Sequence, residues 1–170
     1  ISNYDLKRVL TADKEKVSVA GTASFVDKNA GEGKTVNITG LTLSGDEAEN
    51  YELSSDTFTT TADILQKDLT ITASDYSKAY DGSVVTENKF NQTGLAAGDE
   101  ITDVVTEFAD KDAGENKVIS FKSYTVSDGN GGNNYKLKLD EAEGVIYKAD
   151  ITLTADPATS IMGQPIEKLS

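Results

Sequence analysis

Asp27-Lys28-Asn29-Ala30-Gly31-Glu32-Gly33-Lys34 returns as Asp110-Lys111-Asp112-Ala113-Gly114-Glu115-Asn116-Lys117, with six of the eight positions identical at an offset of 83. Working outward, the same spacing reappears on either side. Asn50-Tyr51-Glu52-Leu53 returns as Asn134-Tyr135-Lys136-Leu137 at an offset of 84. Ile64 with Asp68-Leu69-Thr70-Ile71-Thr72-Ala73 returns as Ile146 with Asp150-Ile151-Thr152-Leu153-Thr154-Ala155 at an offset of 82. Matches in one order, with offsets drifting by a residue, mark a duplicated domain with small loop insertions. Each copy is long enough to bury its own core, so the expected object is a string of beads, not a solenoid of short units. The division read from the repeat is a first domain at residues 1–66 that lacks its leading strand section, a second at 67–148, and at 149–170 the leading section of a third.

The periodicity within each copy is two. Leu69, Ile71 and Ala73 alternate with Thr70 and Thr72, and Tyr135, Leu137 and Leu139 alternate with Lys136 and Lys138. This is strand chemistry, with one apolar face and one polar face. Turn signals separate the runs, among them Tyr80-Asp81-Gly82, Ala97-Gly98-Asp99 and Asp128-Gly129-Asn130-Gly131-Gly132. Only Asp46-Glu47-Ala48-Glu49 has helical character, enough for one turn. The fold class is therefore all-β, expected as tandem immunoglobulin-like β-sandwich-type repeats of about six or seven strands each, with a β-grasp-like or other mixed β fold as the alternative. Val36 and Ile38 are out of phase with Leu41 and Leu43, and Ile119 and Phe121 with Tyr124 and Val126. A strand cannot exchange its buried face without an extra residue, so a β-bulge is expected near Gly40 and near Ser123, or else two short strands at each place. Only Leu65-Gln66-Lys67, with neither Pro nor Gly, joins the copies, which predicts a semi-rigid joint.

Sixteen basic residues against 29 acidic ones give a net charge of −13, and Arg8 is the only arginine. Phosphate recognition needs clustered Lys and Arg, so nucleic acid and anionic membrane surfaces are not expected partners. The chain contains no Cys and no His. That excludes disulfides, Ser-His-Asp and Cys-His nucleophiles, and the usual zinc ligand sets. No apolar run is long enough for a membrane span. The chain opens in mid-pattern, so any targeting or anchoring segment is expected outside it.

Tyr80-Asp81-Gly82 after Lys78-Ala79, together with the stretches Val19–Gly31 and Lys34–Gly45, resembles the YDG repeat of bacterial surface adhesins. Asn50-Tyr51-Glu52-Leu53 and Thr60-Thr61-Ala62-Asp63-Ile64 fit the same pattern. Ile161-Met162-Gly163-Gln164-Pro165 looks like the start of the related MBG repeat, which normally has Tyr where Met162 stands. The resemblance covers nearly the whole chain. The second copy departs from it after Lys117, with Ser123 in place of the usual Gly and an expanded Gly/Asn loop. It implies tandem arrays in large secreted or wall-attached proteins, hence an extracellular or cell-surface location and a non-catalytic stalk whose partners are adjacent repeats. It carries no catalytic residues over. The alternatives are a binding module for a glycan or host protein, expected to show a solvent-facing aromatic cluster (Tyr4, Tyr76 and Tyr147 are the candidates), and an accessory domain of a secreted enzyme.

Asp128, Asn130, Asn133 and Asn134 place oxygen ligands at short spacing in a Gly-rich loop, the chemistry of a calcium site. The EF-hand order with its terminal Glu is absent, and the plain alternative is a hairpin tip. No other cofactor is implied. Asp27 with Gly31, and Asp110 with Gly114, read as turns in which Asp accepts backbone N–H groups and Gly takes the left-handed position. Tyr80, Asp81 and Gly82 read as an aromatic anchor followed by a turn. Asn50-Tyr51 and Asn134-Tyr135 read as strand starts. Lys, Asn and Glu are plentiful enough for an isopeptide cross-link, but spacing identifies no triad. Finally, the first copy lacks a strand section that the tail carries in surplus, so the tail of one molecule is expected to fill the gap of the next by strand exchange.

Overall fold

The computed structural model describes residues 5–155, 157 and 161–163. Tyr4, and Gln164 and Pro165 of the MBG-like stretch, lie outside them. The regular secondary structure of the described chain is nearly all strand. The first repeat contributes β1 (Ser18–Phe25), β2 (Gly31–Ser44) and β3 (Phe58–Ile64). The second contributes β4 (Lys67–Ala73), β5 (Tyr76–Ala79), β6 (Phe90–Thr93), β7 (Glu100–Phe108), β8 (Gly114–Ser127), β9 (Tyr135–Asp140) and β10 (Ala142–Tyr147). The helical turn expected at Asp46–Glu49 is a 3-10 turn at Ala48–Asn50, and a second 3-10 turn, Thr11–Lys16, precedes β1.

The duplication holds at the level of register. Phe25 pairs with Val36 as Phe108 pairs with Ile119. Gly31 pairs with Ile64 and Lys34 with Ala62, as Gly114 pairs with Ile146 and Lys117 with Gly144. The sheet β1-β2-β3 thus reproduces β7-β8-β10. Each long strand stays continuous through the phase change. Opposite Ala20 and Thr22, β2 inserts an extra residue between Thr39 and Thr42, with Gly40 in the left-handed region at φ 63°. In the second repeat the ladder is irregular between Thr102 and Thr106, facing Phe121 to Thr125. The bulge lets one strand serve two apolar faces in succession.

The second repeat has two layers. The sheet β6-β4-β9 packs on β5-β10-β8-β7, with Leu69, Ile71 and Tyr135 of the first against Ile101, Phe121 and Val126 of the second. A neighbouring cluster joins Ala73, Phe108, Ile119 and Ile146, with Tyr76 packed against it. Strand direction is mixed, because β4 runs parallel to β9 and β5 parallel to β10. The chain leaves the centre of one sheet at Ala73 and enters the edge of the other at Tyr76, so the leading section supplies both layers.

The first repeat has no counterpart of β4, β5 and β6 among the described residues. Two departures from expectation follow. Tyr51 does not start a strand: Tyr51–Asp56, the counterpart of β9, joins no ladder because the strand β9 pairs with has no equivalent there. The core is also thinner. Phe25 is 40% exposed whereas Phe108, its equivalent, is 1% exposed beneath Ala73 and Tyr76. Truncating a buried Phe costs about 3–5 kcal/mol, so Phe108→Ala is expected to destabilise the second repeat by that much. Phe25→Ala should cost the first repeat a small fraction of it, both read by urea unfolding with a probe in each repeat.

Candidate functional site

The Asp-Lys-x-Ala-Gly turn is a clasp. Asp27 Oδ1 accepts the Asn29 N–H at 2.8 Å and Asp110 Oδ1 the Asp112 N–H at 2.9 Å. The carboxylate of Asp27 also takes the Lys34 ammonium at 2.7 Å, and Asp110 that of Lys117. The glycines do not occupy the left-handed region, contrary to expectation: Gly31 and Gly114 open their strands, and the left-handed residues are Gly33 (φ 59°) and Asn116 (φ 53°), at the bulge that follows. Gly31 and Gly114 are small for another reason. A Cβ on either would stand 3.3 Å from Cδ of Lys34 or Lys117, whose stem crosses the glycine to reach the aspartate.

Tyr80-Asp81-Gly82 is a second clasp. Asp81 Oδ1 accepts the Ser83 N–H and hydroxyl, each at 2.9 Å, and Gly82 turns the chain at φ 76°. Lys78, nearly buried, donates to Asp81 at 2.9 Å and to the Ser83 carbonyl at 2.9 Å, with its ammonium 5.8 Å from the Phe108 ring centre. The Lys78 hydrogen bond first, and the Ser83 N–H second, hold the Asp81 carboxyl down at about 2 against an ordinary 3.8. A depressed carboxyl stabilises the fold above its unfolded pKa and loses that effect as pH falls through the folded value. Asp81 is therefore expected to titrate near pH 2 by carboxyl NMR, with the turn weakening between about pH 4 and 2, and Lys78→Met should move that titration toward the ordinary value. Tyr80 is less an anchor than expected, since its ring is partly exposed and lies 6.0 Å from the Lys111 ammonium.

The Asp128 loop is closed around its own carboxylate. Oδ1 accepts the Asn130 and Gly132 N–H groups at 2.7 and 2.9 Å, and Oδ2 the Asn134 N–H at 3.0 Å. Burial pushes this carboxyl up, and the three N–H groups more than offset it and hold it below its ordinary value. The Asn133 amide caps the Asn130 carbonyl at 2.6 Å. A cation in this loop would displace backbone bonds already made. Calcium is accordingly expected to leave the amide NMR shifts of Asn130–Asn134 in place, whereas Asp128→Ala should release all three N–H groups and raise hydrogen exchange across the loop.

What this loop holds in position is Asn134, and Asn134 holds the first repeat. Its Oδ1 accepts the Ala30 N–H at 2.8 Å and its Nδ2 donates to Asn29 Oδ1 at 3.3 Å, both in the Asp-Lys turn of the first repeat. Its carbonyl accepts the Lys67 N–H at 2.9 Å, and the Asn133 carbonyl accepts Gln66 Nε2 at 3.0 Å. Only Leu65 and Gln66 separate β3 from β4. Beside them Lys28 reaches Asp99 at 3.0 Å. Asp99 is buried and accepts the Tyr135 hydroxyl at 2.6 Å, and that hydroxyl accepts the Ala96 N–H at 2.9 Å. The Tyr135 hydroxyl first and Lys28 second hold the Asp99 carboxyl below its ordinary value. Between Ile64, Leu65 and Ala30 on one side and Ala96, Asp99 and Tyr135 on the other lies a cleft of about 260 Å³.

The calcium candidates and the first Asp-Lys turn thus meet at one joint, and Tyr80–Gly82 and Asp110–Gly114 do not belong to it. Lys28, Asp99 and Tyr135 were not singled out from sequence as joint residues. The one signal available was that both the Asp-Lys turn and the Asn-Tyr pair recur, as parts of a repeating contact would. Of the tyrosines expected on a binding face, Tyr76 packs on Phe108 at 6.2 Å and Tyr147 is exposed. A family model of the YDG domain matches residues 2–59 and 65–144. No curated protein and no solved structure matches the chain.

Proposed function

Because the chain belongs to the YDG-domain family, we propose that it is a run of structural spacer repeats, non-catalytic, from an extracellular bacterial surface adhesin. The observation that carries this reading is the joint at Asn134, where one repeat's turn is bonded directly to the next repeat's loop. A two-residue connection with Asn134 bonded on both sides resists bending far more than a Gly/Ser linker would. The parts of the joint are also present at the outer ends of the pair. At the head of the first repeat, the Tyr51 hydroxyl donates to Asp13 at 2.7 Å and accepts the Leu10 N–H at 3.2 Å, as Tyr135 does with Asp99 and Ala96. At the foot of the second, Lys111 and Tyr147 stand where Lys28 and Leu65 stand in the first. Each repeat thus presents an Asp-Tyr head and an Asp-Lys foot, which suits an array that continues in both directions.

The bead is read as a sandwich of the immunoglobulin-like kind, supported in the second repeat by two sheets packed on a shared core. Its parallel pairs β4–β9 and β5–β10 distinguish it from an all-antiparallel sandwich. The β-grasp-like alternative is weaker, since the described residues hold 3-10 turns but no α-helix to lie across a sheet.

The direct test is small-angle X-ray scattering of the chain and of Asn134→Ala with Lys28→Ala. The parent is expected to scatter as a stiff pair of fixed maximum dimension. The double variant should broaden its distance distribution while each repeat keeps its circular dichroism. An unchanged distribution would remove the joint as the source of stiffness. Lys28→Ala alone should do little, because the Lys28 side chain is 68% exposed and its ion pair is screened.

A further inference from the structure

We propose that Asn130-Gly131 is a self-modifying site, at which Asn130 deamidates through a cyclic imide and so loosens the joint between the two repeats. The proposal rests on the bonds at Asn134 and holds whether or not the array serves as a spacer.

Asn130-Gly131 is the one Asn-Gly pair in the chain. Asparagine is a chemically labile residue, and a glycine after it leaves the attacking backbone nitrogen unshielded by any Cβ. The loop adds a reason of its own. From Asn130 to Tyr135 every backbone N–H but one is held. Those of Asn130 and Gly132 donate to Asp128 Oδ1, and that of Asn134 to Asp128 Oδ2. Asn133 N–H donates to the Asn130 carbonyl and Tyr135 N–H to the Gly132 carbonyl, each at 3.2 Å. The exception is the N–H of Gly131, which has no hydrogen-bond partner among the described residues and sits at an exposed turn position with φ 63°. The nitrogen that has to attack is the one the loop leaves unbonded.

In the reaction the Gly131 amide gives its proton to hydroxide, and its nitrogen forms a bond to Cγ of Asn130. The Cγ–Nδ2 bond breaks, and Nδ2 takes up a proton from water and leaves as ammonia. Water then opens the imide at either carbonyl, which gives aspartate or isoaspartate at position 130. Asn130 Nδ2 donates to Asn134 Oδ1 at 3.0 Å. The same oxygen accepts the Ala30 N–H of the first repeat at 2.8 Å. Ammonia cannot leave until the bond to Asn134 opens, so conversion proceeds through local opening of the loop. Once it has occurred, the bond cannot form again. A carboxylate at 130 has no proton to offer Asn134 Oδ1. It also adds a negative charge beside the Asp128 carboxylate, which accepts the Asn130 N–H at 2.7 Å. Isoaspartate further lengthens the main chain by one carbon ahead of Gly132, drawing the Gly132 N–H away from Asp128 Oδ1. Either product leaves Asn134 less firmly placed against the turn of the first repeat.

Incubation of the chain in buffers of rising pH, followed by intact mass and peptide mapping, tests the site. Asn130 is expected to convert before any other asparagine and faster as pH rises. Aspartate and isoaspartate should be recovered together, since opening of a cyclic imide yields both. Asn130→Gln, whose longer side chain closes a ring far more slowly, should show no conversion at 130. The effect on the joint is read by hydrogen exchange at the Ala30 N–H, with the Leu69 and Ile71 N–H groups of β4 reporting that the second repeat stays folded. Asn130→Asp should raise exchange at Ala30 about tenfold, the net worth of one hydrogen bond, and leave the β4 groups slow. An intact Asn130 while other asparagines convert, or aspartate without isoaspartate, would overturn the site. Exchange at Ala30 that stays at the parent rate in Asn130→Asp would overturn its effect on the joint.

Discussion

The structure depends on one constraint: β4 is a central strand. Its backbone donors and acceptors pair on both sides, with β6 and β9, and its apolar face is sealed from water by Leu69 and Ile71. A strand in that position cannot shift or fray without stranding buried polar groups. Since only Leu65 and Gln66 precede it, the last strand of the first repeat is fastened to the most deeply held strand of the second. The bonded joint and the repeat's dependence on a leading section are two consequences of that placement.

The turn at the Asp-Lys motif and the Asp128 loop serve the same joint by different chemistry. The Asp-Lys turn is held from within by Lys34 crossing Gly31, which leaves Ala30 N–H and the Asn29 side chain free to meet Asn134. The Asp128 carboxylate fixes the opposing loop through three backbone N–H groups. The Lys78–Asp81 clasp acts elsewhere, neutralising a lysine whose ammonium lies over the Phe108 ring. Asp128, the acidic member of the loop read in sequence as a calcium candidate, is in three dimensions the partner of three backbone N–H groups. Ion pairs at this surface are screened, so the joint rests mainly on the uncharged contacts of Asn134.

The two copies also compare one sequence pattern in two environments. Phe25 and Phe108 occupy the same register position, yet one is open and the other buried. Tyr135 opens a strand and Tyr51 does not. Neither difference lies in the residues themselves. β-structure is decided by what pairs alongside and what packs above, and among the described residues only the second repeat has strands such as β4 and β5 to do so.

The sequence by itself determined the duplication, the all-β class, the short joint and the bulge that both copies share. Each of these follows from local rules: alternation of period two, turn residues, and a phase change that no regular strand can absorb. Only the tertiary structure decided that β4 is central and parallel to β9, that Gly31 is small to admit a lysine stem, and that Asn134 bonds to a turn 104 residues away along the chain. Those outcomes depend on which distant segments meet, and alternation along a strand carries no information about its neighbour.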